Sequence, residues 1–463
     1  MSRSAPRLEN GSKIAIIGGG PAGSFFAHFA LQFARKAGME LSVSIFDGKD
    51  FIQSGPRGCN MCAGVISETL VDRLAEQDIL IPERHTQRRI EGYYLHTRSR
   101  WIQLIHPWEQ KRIITVFRGN GPRFWDQDEN VSFDDFLLEH VRSAGAEWMA
   151  EPVKNLHLPS DSRGKAQVIY GSEENGRTFE ADLVVGAFGL NTSMIEKIRR
   201  MDFGYQPPRI LRTGQMEIWL GADLIREGLG NYIHIFMPEE LDWLSFGSLI
   251  PKREHVTISV VGKRDITGQD ILTFLRIPSV RRMFPPGWEA QDRTCRCFPK
   301  IPLTPAKHPF TDRFVIIGDA SFCRYYKNGI ESAFVTAHLA SEAAFERNLS
   351  GSSFRRGYFR EAKKRIISDN RYGRTLFKVY DMVSRSELLA EAHFQVLISS
   401  RRLRVAWFFR SILWDMFTGN VPYRDIFRRA LNPFVQIAFV RSVIKTLYGR
   451  GRRSPFRSRA VQK

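Results

Sequence analysis

The sequence predicts an α/β fold in which a parallel-sheet domain carries an inserted antiparallel sheet and is followed by a C-terminal helical region. Three observations support this prediction. Short buried-strand patterns alternate with helical patterns near the N-terminus, residues 212–263 have the pattern of antiparallel strands, and the chain is helical in character beyond residue 350. Of its 463 residues, 43% are hydrophobic and 25% are charged, which is a globular composition.

The N-terminal segment contains a complete βαβ pattern. A β-branched apolar run at residues 13–18 (KIAIIG) predicts a buried strand that enters a glycine-rich turn, GGGPAG at 18–23. A helical pattern follows over residues 24–37, and a second strand over 41–46 ends at Asp47. This order predicts a dinucleotide-binding unit in which Asp47 accepts hydrogen bonds from the adenosine ribose. The alternative is a glycine-rich turn beside an ordinary surface aspartate.

The residues of the turn have expected roles toward a dinucleotide. Gly18 allows the tight turn, Gly20 lets the backbone approach the pyrophosphate, and Gly23 lets the helix pack closely on the strand. Pro21 and Ala22 complete the turn and open the helix. The N-terminus of that helix offers unpaired amide groups and the positive end of a dipole to the phosphates.

Further strands of the parallel sheet are predicted at residues 181–186 (ADLVVG) and 313–318 (RFVIIG). The second of these ends at Gly318 and leads into Asp319, and a helical segment follows over residues 329–347. No second glycine fingerprint occurs, which argues against a separate nicotinamide domain of the same kind.

The remaining segments define the domain organisation. Antiparallel strands are predicted at residues 215–220, 232–236, 243–250 and 255–261, as parts of a sheet that covers the substrate. The predicted divisions are a nucleotide-binding part (12–90, 112–205 and 300–350), a substrate-covering sheet (91–111 and 206–299), a helical region (351–448) and a basic tail (449–463) within a body of 1–350.

The charge is unevenly distributed. The chain has a net charge of +19, and residues 401–463 alone contain 15 Lys and Arg against two Asp, a net +13. The apolar runs at 405–409 and 434–440 are shorter than the roughly 20 residues that a spanning helix needs. We therefore expect a cytoplasmic protein, with peripheral membrane association rather than a membrane span.

Aromatic and basic residues are interleaved in the C-terminal region, most densely around Trp407, Phe408, Phe409 and Trp414. This composition is typical of a helix that inserts its rings at an anionic membrane surface. A helix packed on the body with a solvated cationic face is the alternative interpretation. Nucleic-acid binding is not expected, because no recognised binding module accompanies the charge.

Several motifs resemble the FAD-binding fingerprints of the p-hydroxybenzoate hydroxylase fold. They are GGGPAG at 18–23, VVGAFGLNT at 184–192, VIIGDASF at 315–322 and NGIESAF at 328–334. Within that superfamily the chain resembles the geranylgeranyl reductase family, through the segment that begins at Cys62 (CAGVIS) and the Ser132-Phe133-Asp134 helix. It departs from the pattern at Phe188, where the superfamily has Asp, at Ser248, where the family has Trp, and in lacking a Pro at 325–328.

The resemblance implies FAD as the cofactor, bound in an FAD-binding Rossmann-like domain. By this analogy Gly318 and Asp319 contact the ribityl–pyrophosphate region. Asn328, Gly329 and Ile330 then place a helix N-terminus at the isoalloxazine, where its dipole would stabilise the anionic reduced flavin. For Asp319, the alternative is a helix cap without a ligand.

Cys59 and Cys62 lie on a loop that passes close to the flavin in this fold, and three interpretations remain open. Cys62 is the candidate catalytic residue, because its position matches the family pattern. Both thiols could instead be buried and inert. A metal or iron–sulfur site shared with Cys295 and Cys297 is the third interpretation, but the spacing matches common sites poorly.

The leading functional hypothesis is an FAD-dependent reductase of carbon–carbon double bonds in a prenyl or other lipid-like substrate. A flavin-dependent monooxygenase or halogenase that acts on an apolar or aromatic substrate is the second hypothesis. A membrane-surface electron-transfer flavoprotein is the third. The expected partners are an apolar small molecule, NAD(P)H or a ferredoxin-type electron donor, and an anionic membrane surface contacted by the C-terminal basic region.

Overall fold

A computed structural model describes ten stretches of the chain. They are residues 6–97, 101–105, 113–125, 128–159, 164–172, 175–237, 241–289, 294–326, 329–399 and 404–450. The predicted site residue Asn328 and most of the predicted basic tail lie outside these stretches.

Strands are numbered along the chain. The first eleven are β1 (Lys13–Ile17), β2 (Ser42–Phe46), β3 (Val65–Ile66), β4 (Arg88–Ile90), β5 (Gly92–His96), β6 (Trp101–Ile105), β7 (Ile113–Thr115), β8 (Glu147–Met149), β9 (Val153–His157), β10 (Ala166–Gly171) and β11 (Gly176–Ala181). The next ten are β12 (Leu183–Gly186), β13 (Ile210–Arg212), β14 (Gly214–Trp219), β15 (Tyr232–Phe236), β16 (Leu244–Pro251), β17 (His255–Gly262), β18 (Cys295–Cys297), β19 (Lys300–Pro302), β20 (Phe310–Thr311) and β21 (Phe314–Ile316).

The helices are numbered in the same way. They are α1 (Pro21–Ala37), α2 (Glu68–Ala75), α3 (Phe133–Ser143), α4 (Met194–Arg199), α5 (Ala222–Leu224), α6 (Gly268–Arg276), α7 (Pro278–Arg281), α8 (Gly329–Glu346), α9 (Gly351–Phe354), α10 (Arg360–Ala362), α11 (Asp369–Arg385), α12 (Glu387–Ser399), α13 (Arg404–Thr418), α14 (Tyr423–Ala430) and α15 (Pro433–Arg450).

The predicted parallel sheet is present, with the strand order β20-β21-β12-β1-β2-β8. All of its pairings are parallel except that of the edge strand β20 with β21. Helices α1 and α8 pack together over one face, where Phe334 makes edge contacts with Phe25 and Phe29 at centroid distances of 5.3 and 5.2 Å. The small sheet β9–β11 covers the other face, because Phe46 packs on Tyr170 and Phe179. Burial on both faces accounts for the uninterrupted apolar runs in the sequence.

The predicted antiparallel sheet has seven strands in the order β18-β14-β17-β16-β15-β5-β6. Its pairings are antiparallel except that between β15 and β5. One face packs on α6 and α7, around the buried side chains of Leu249, Ile258 and Phe274. The predicted α/β architecture, with an inserted antiparallel sheet and a C-terminal helical region, is therefore confirmed.

The C-terminal helices α11–α15 cover the other face of the seven-stranded sheet. Trp414 of α13 is 1% exposed, and its ring lies 5.5 Å from that of Tyr93 on β5. Phe409, Phe417 and Tyr423 belong to the same apolar cluster as the sheet residues. The C-terminal region is therefore part of the core of the protein.

The expectation that Phe409 and Trp414 insert into a membrane is wrong. Both rings are buried against neighbouring helices and the sheet, while Trp407 and Phe408 are half-buried. The sequence pattern was ambiguous because a helix that docks on a sheet needs an aromatic face and a cationic face, as an interfacial helix does. Within the described stretches, no helix is both long enough and apolar enough to cross a membrane.

Candidate active site

A cavity of about 610 Å³ lies between the carboxyl ends of the parallel strands and the seven-stranded sheet. It lies on the face of that sheet that the C-terminal helices cover. One part is lined by the glycine-rich turn, Asp47 and the segments that follow β12 and β21. The other part is lined by apolar side chains of the antiparallel sheet. The volume falls in the range of about 300–1,000 Å³ that is usual for ligand sites.

The glycine-rich turn has the geometry that its sequence predicts. Gly18 has φ of +112°, and a Cβ atom there would lie 2.5 Å from the carbonyl oxygen of Ala187. A Cβ atom at Gly23 would lie 1.9 Å from the carbonyl oxygen of Gly18, so only glycine allows this contact between helix and strand. Gly18, Gly20, Pro21 and Ala22 line the cavity. No side chain of the described residues caps α1 at Gly20, which leaves its N-terminus open to an anion.

Asp47 lies at the carboxyl end of β2 and lines the cavity, as predicted. Its carboxylate also supports the loop around it, since Oδ2 accepts from the backbone of Gly19 at 2.8 Å and Oδ1 accepts from the backbone of Lys49 at 2.9 Å. Burial raises the pKa of Asp47, and the hydrogen bond from Gly19 opposes that rise. The carboxylate of Asp47 therefore already orders the turn. The predicted hydrogen bonds from a ribose would use the same two oxygens.

Residues after β21 and at the start of α8 line the same cavity, namely Gly318, Asp319, Gly329 and Ile330. Asp319 is half-buried, and its Oδ1, an atom hidden from solvent, has no hydrogen-bond partner among the described residues. Burial raises the pKa of this carboxyl group. A Cβ atom at Gly329 would lie 3.4 Å from Asp319 Oδ1, so the start of α8 closes over the carboxylate. An unsatisfied buried oxygen on a cavity wall indicates a missing hydrogen-bond donor.

A buried ionic cluster beside Gly20 was not predicted. Arg118 lines the cavity, and its Nη2 donates to Oδ2 of Asp134 at 2.8 Å. Asn60 Nδ2 donates to the same oxygen at 2.5 Å and would lie 3.2 Å from a Cβ atom at Gly20. Lys49 Nζ donates to Asn60 Oδ1 at 2.9 Å. The sequence carried one partial signal, the family-like Ser132-Phe133-Asp134 motif, but nothing that paired Asp134 with Arg118.

Four of the five cysteines divide into two groups. Cys62 lines the cavity, and its Sγ accepts from the backbone of Gly64 at 3.4 Å. Cys59 lies on the same loop, and burial raises the pKa of its thiol. Cys295 and Cys297 lie on β18 opposite Glu217 and Gln215 of β14.

Each of the five cysteines is a free thiol. No group of three or more His, Cys, Asp or Glu side chains in the described part of the chain is arranged to hold a metal ion. The metal interpretation of Cys59, Cys62, Cys295 and Cys297 therefore gains no support from the geometry.

The second part of the cavity is an apolar chamber, which we define by its lining residues. Eight side chains supply its apolar surface, namely Tyr93, Ile113, Ile233, Ile235, Phe246, Ile250, Val261 and Phe417. Gln215, Ser248 and Ser259 are the sheet residues that add polar groups to its wall. Phe188, one of the positions where the sequence departs from the resembling pattern, also lines the cavity.

The residues of the first part fit an FAD molecule. A glycine cradle, an open helix N-terminus and the unsatisfied carboxylate oxygen of Asp319 line one continuous cavity. These groups are of the kinds that bind a pyrophosphate and a hydroxyl-bearing chain. The apolar chamber is part of the same cavity.

Comparison with known proteins agrees with this geometry. Over 364 residues the chain is 22% identical to the chloroplastic geranylgeranyl diphosphate reductase of Nicotiana tabacum. The aligned residues cover 74% of this chain and 68% of the relative. The corresponding rice enzyme (Oryza sativa subsp. japonica) is 22% identical over 450 residues, which cover 91% of this chain and 86% of the relative. No family model matches the chain.

Solved structures extend the likeness to nearly the whole chain. A geranylgeranyl bacteriochlorophyll reductase-like protein from Thermoplasma acidophilum aligns with a TM-score of 0.61 at 16% identity, over 95% of this chain and 100% of that chain. A flavin-dependent brominase aligns with a TM-score of 0.63 at 13% identity, over 96% of this chain and 100% of that chain. The chain has the fold of these flavoproteins. The predicted resemblance to geranylgeranyl reductases and to the hydroxylase fold is therefore confirmed.

Proposed function

We propose that this protein is an FAD-dependent oxidoreductase that reduces carbon–carbon double bonds of a prenyl or other lipid-like substrate. The observation that carries the proposal is the single cavity in which a dinucleotide cradle opens into an apolar chamber. The geranylgeranyl reductases among the relatives support the reductase assignment over other flavin chemistry.

In this proposal the residues that follow β1 bind one half of FAD and the residues that follow β21 bind the other half. The turn formed by Gly18, Gly20, Pro21, Ala22 and Gly23 receives the pyrophosphate at the N-terminus of α1. Asp47 receives the ribose hydroxyls of the adenosine. Gly318 and Asp319, with Asn328, Gly329 and Ile330, receive the ribityl chain and the isoalloxazine. The unsatisfied Oδ1 of Asp319 supports this half of the assignment, because a ribityl hydroxyl supplies the donor that it lacks.

Bound FAD, once reduced, supplies a hydride to the double bond. The chain has to orient the alkene and deliver a proton to the other carbon atom. Side chains of the apolar chamber, such as Ile233 and Phe246, exclude water and hold an extended hydrocarbon. Cys62 is our candidate for the proton donor, because its thiol lies on the wall of the same cavity.

The proposal is tested by incubating the FAD-bound protein with a chemical reductant and a geranylgeranyl lipid under anaerobic conditions, followed by mass spectrometry. The expected product is heavier than the substrate by two hydrogens for each reduced double bond. Recovery of unchanged lipid, while the flavin is reduced, would contradict the proposal.

The role of Cys62 is tested by Cys62→Ser, with Cys323→Ala as the matched control on the same cavity. We expect Cys62→Ser to lower kcat about 100-fold, the effect of losing a general acid, while FAD binding is retained. Cys323→Ala is expected to have the smaller effect. If Cys62→Ser and Cys62→Ala both turn over at the wild-type rate, the thiol has only a packing role.

A flavin-dependent monooxygenase or halogenase is the second candidate, because a brominase shares the fold over nearly the whole chain. Phe188 in place of the superfamily's Asp argues against a hydroxylase that is driven by NADPH. A membrane-surface electron-transfer flavoprotein is a third candidate, but a cluster site at the cysteines would be its sign, and the described residues form none. The electron donor that we propose for the reductase is NAD(P)H or a ferredoxin-type protein.

We further propose peripheral association with an anionic membrane through α15. Six large apolar side chains of this helix are exposed, namely Phe434, Ile437, Val440, Ile444, Leu447 and Tyr448. Arg441 and Lys445 are exposed on the same helix. Basic residues near a membrane surface contribute about 1 kcal/mol each, and this attraction is screened by salt. The apolar side chains add an insertion that salt does not screen.

Co-sedimentation with anionic and neutral vesicles tests this association. We expect binding to anionic vesicles that weakens with salt but persists, and that is lost in the triple variant Phe434→Gln/Ile437→Gln/Ile444→Gln. The control variant Leu80→Gln/Phe124→Gln removes exposed apolar side chains of the body and should bind as the wild type does. Absence of binding at low salt, or equal binding by the triple variant, would contradict the assignment.

A further inference from the structure

The C-terminal helices hold the segment of residues 323–326, which precedes α8 by two residues in the sequence and lines the cavity through Cys323, Arg324 and Tyr326. In the sequence this segment lies between Asp319 and the start of α8. It is not a relaxed loop, since Tyr326 has φ of +59°, a conformation that residues other than glycine rarely adopt. Contacts from elsewhere in the chain must therefore maintain it.

Asn370, in the first turn of α11, provides two of these contacts. Its Nδ2 donates to the carbonyl oxygen of Cys323 at 2.9 Å, and its Oδ1 accepts from the backbone of Tyr325 at 2.9 Å. The side chain is 5% exposed. A single buried amide thus satisfies one acceptor and one donor of the segment, as a neighbouring strand would.

A second set of contacts connects the same segment to the start of α14 and to the loop that precedes it. The guanidinium of Arg324 donates to the carbonyl oxygens of Gly419 and Val421 and lies 4.2 Å from the ring centroid of Tyr423. The hydroxyl of Tyr423 donates to the carbonyl oxygen of Tyr325 at 2.6 Å.

The residue beside Asn370 fixes the start of α14. The carboxylate of Asp369 accepts from the backbone of Tyr423 at 2.8 Å and from that of Arg424 at 2.9 Å. Gly373 lets the two helices approach, because a Cβ atom there would lie 2.5 Å from the ring of Tyr423. The neighbouring residues Asp369 and Asn370 therefore connect α14 and the 323–326 segment at one point.

We infer that Asn370 is a positioning residue for the flavin, which it acts on through the backbone of residues 323–326. The same segment carries Cys323, which lies beside Asp319, and leads into the helix N-terminus that would face the isoalloxazine. Displacement of this backbone moves the wall of the cofactor site while the glycine-rich turn is unchanged. This inference rests on the FAD cofactor of the proposed function and holds whichever substrate occupies the apolar chamber.

The test compares Asn370→Leu and Asn370→Asp with Asn432→Leu in the full-length protein. Asn432 is a matched control, because its Oδ1 accepts from the backbone of Phe434 at 3.0 Å within the C-terminal region. The readouts are the FAD dissociation constant, measured by titration of the apoprotein, and the visible circular dichroism of the bound flavin. We expect Asn370→Leu to weaken FAD binding about tenfold, because a backbone at 323–326 that has lost these two hydrogen bonds must be ordered when FAD binds, and to alter the visible spectrum.

Asn370→Asp should give an intermediate result, because its carboxylate still accepts from Tyr325 but cannot donate to Cys323. Asn432→Leu should leave both flavin readouts unchanged even where it lowers the melting temperature. The inference is overturned if Asn370→Leu is folded and its FAD affinity and visible spectrum match those of the wild type. Should Asn370→Leu fail to fold, Tyr423→Phe decides, since it removes only the hydroxyl that donates to Tyr325. An unaltered spectrum in that variant and in Asn370→Asp overturns the inference equally.

Discussion

The glycine-rich turn and the C-terminal helices line the same cavity but are built in different ways. The turn depends on backbone geometry within a few residues, such as the positive φ of Gly18 and the 1.9 Å approach that only glycine allows at Gly23. The C-terminal helices depend on side chains distant in sequence, such as Trp414 against Tyr93 and Asn370 against Cys323. A motif of the first kind can be identified from a short stretch of sequence, whereas the second kind requires the packed structure.

The largest effect is expected from removing the last three helices, α13–α15. A chain that ends before Arg401 loses Phe409, Trp414 and Tyr423 from the apolar cluster on the seven-stranded sheet. Each large buried aromatic side chain contributes about 3–5 kcal/mol, and a whole domain has a net stability of about 5–15 kcal/mol. We therefore expect no folded protein from this truncation, whereas a chain that ends at Arg450 should fold. Soluble, FAD-bound protein from the shorter chain would show that the two regions are independent.

A smaller version of the same test uses single substitutions. Trp414→Ala should lower the free energy of unfolding by about 3–5 kcal/mol, because the ring is fully buried. Phe434→Ala should change it by less than about 0.5 kcal/mol, because that ring is 72% exposed on α15. Urea unfolding of both variants measures the difference. Equal losses would mean that α13 and α15 do not differ in burial as the structure indicates.

A substitution in the glycine-rich turn should weaken cofactor binding, whereas the protein should still fold. A Cβ atom at Gly20 would approach Asn60 Nδ2 at 3.2 Å, which is tight but adjustable, so Gly20→Val should fold. Its branched side chain would occupy the path of the pyrophosphate, and we expect FAD affinity to fall about 100-fold or more. Titration of the apoprotein with FAD measures this change. A folded variant that retains stoichiometric FAD would contradict the assignment of the turn.

The smallest effect is expected at Asp319, where stability and cofactor binding should change in opposite directions. Burial raises the pKa of this carboxyl above its ordinary value of 3.8, so the folded apoprotein holds the proton more tightly than the unfolded chain does. The stability that protonation provides is present below about pH 3.8 and is lost as the pH rises through the folded-state pKa. Asp319→Asn does not titrate and should stabilise the apoprotein by about 1–3 kcal/mol at neutral pH.

Urea unfolding of the apoprotein at a series of pH values checks this sign. The advantage of Asp319→Asn over the wild type should grow from pH 4 upward, while the variant binds FAD more weakly. An advantage that shrinks as the pH rises would contradict the burial of an unsatisfied carboxylate at this position.

Much of the fold could be predicted from the sequence, because its signals are local. The strands that contain Ile14 and Val184, the helix after Pro21 and the antiparallel segments all have short periodic patterns. The cysteine loop was placed beside the cavity only through a family resemblance. Arg118 and Asn370 were missed because their partners, Asp134 and Cys323, are 16 and 47 residues away in the sequence. The aromatic residues of α13 were assigned to a membrane because composition does not show which surface covers them.

In the proposed reaction, the apolar chamber presents a prenyl double bond to reduced FAD. The most direct measurement is to reduce the purified protein without oxygen and then to mix it either with a geranylgeranyl lipid or with oxygen, while recording flavin absorbance. We expect the lipid to restore the absorbance of oxidised flavin in the absence of oxygen, and oxygen alone to do so slowly. Rapid reoxidation by oxygen together with no reoxidation by the lipid would contradict the proposed function and favour an oxygen-using enzyme.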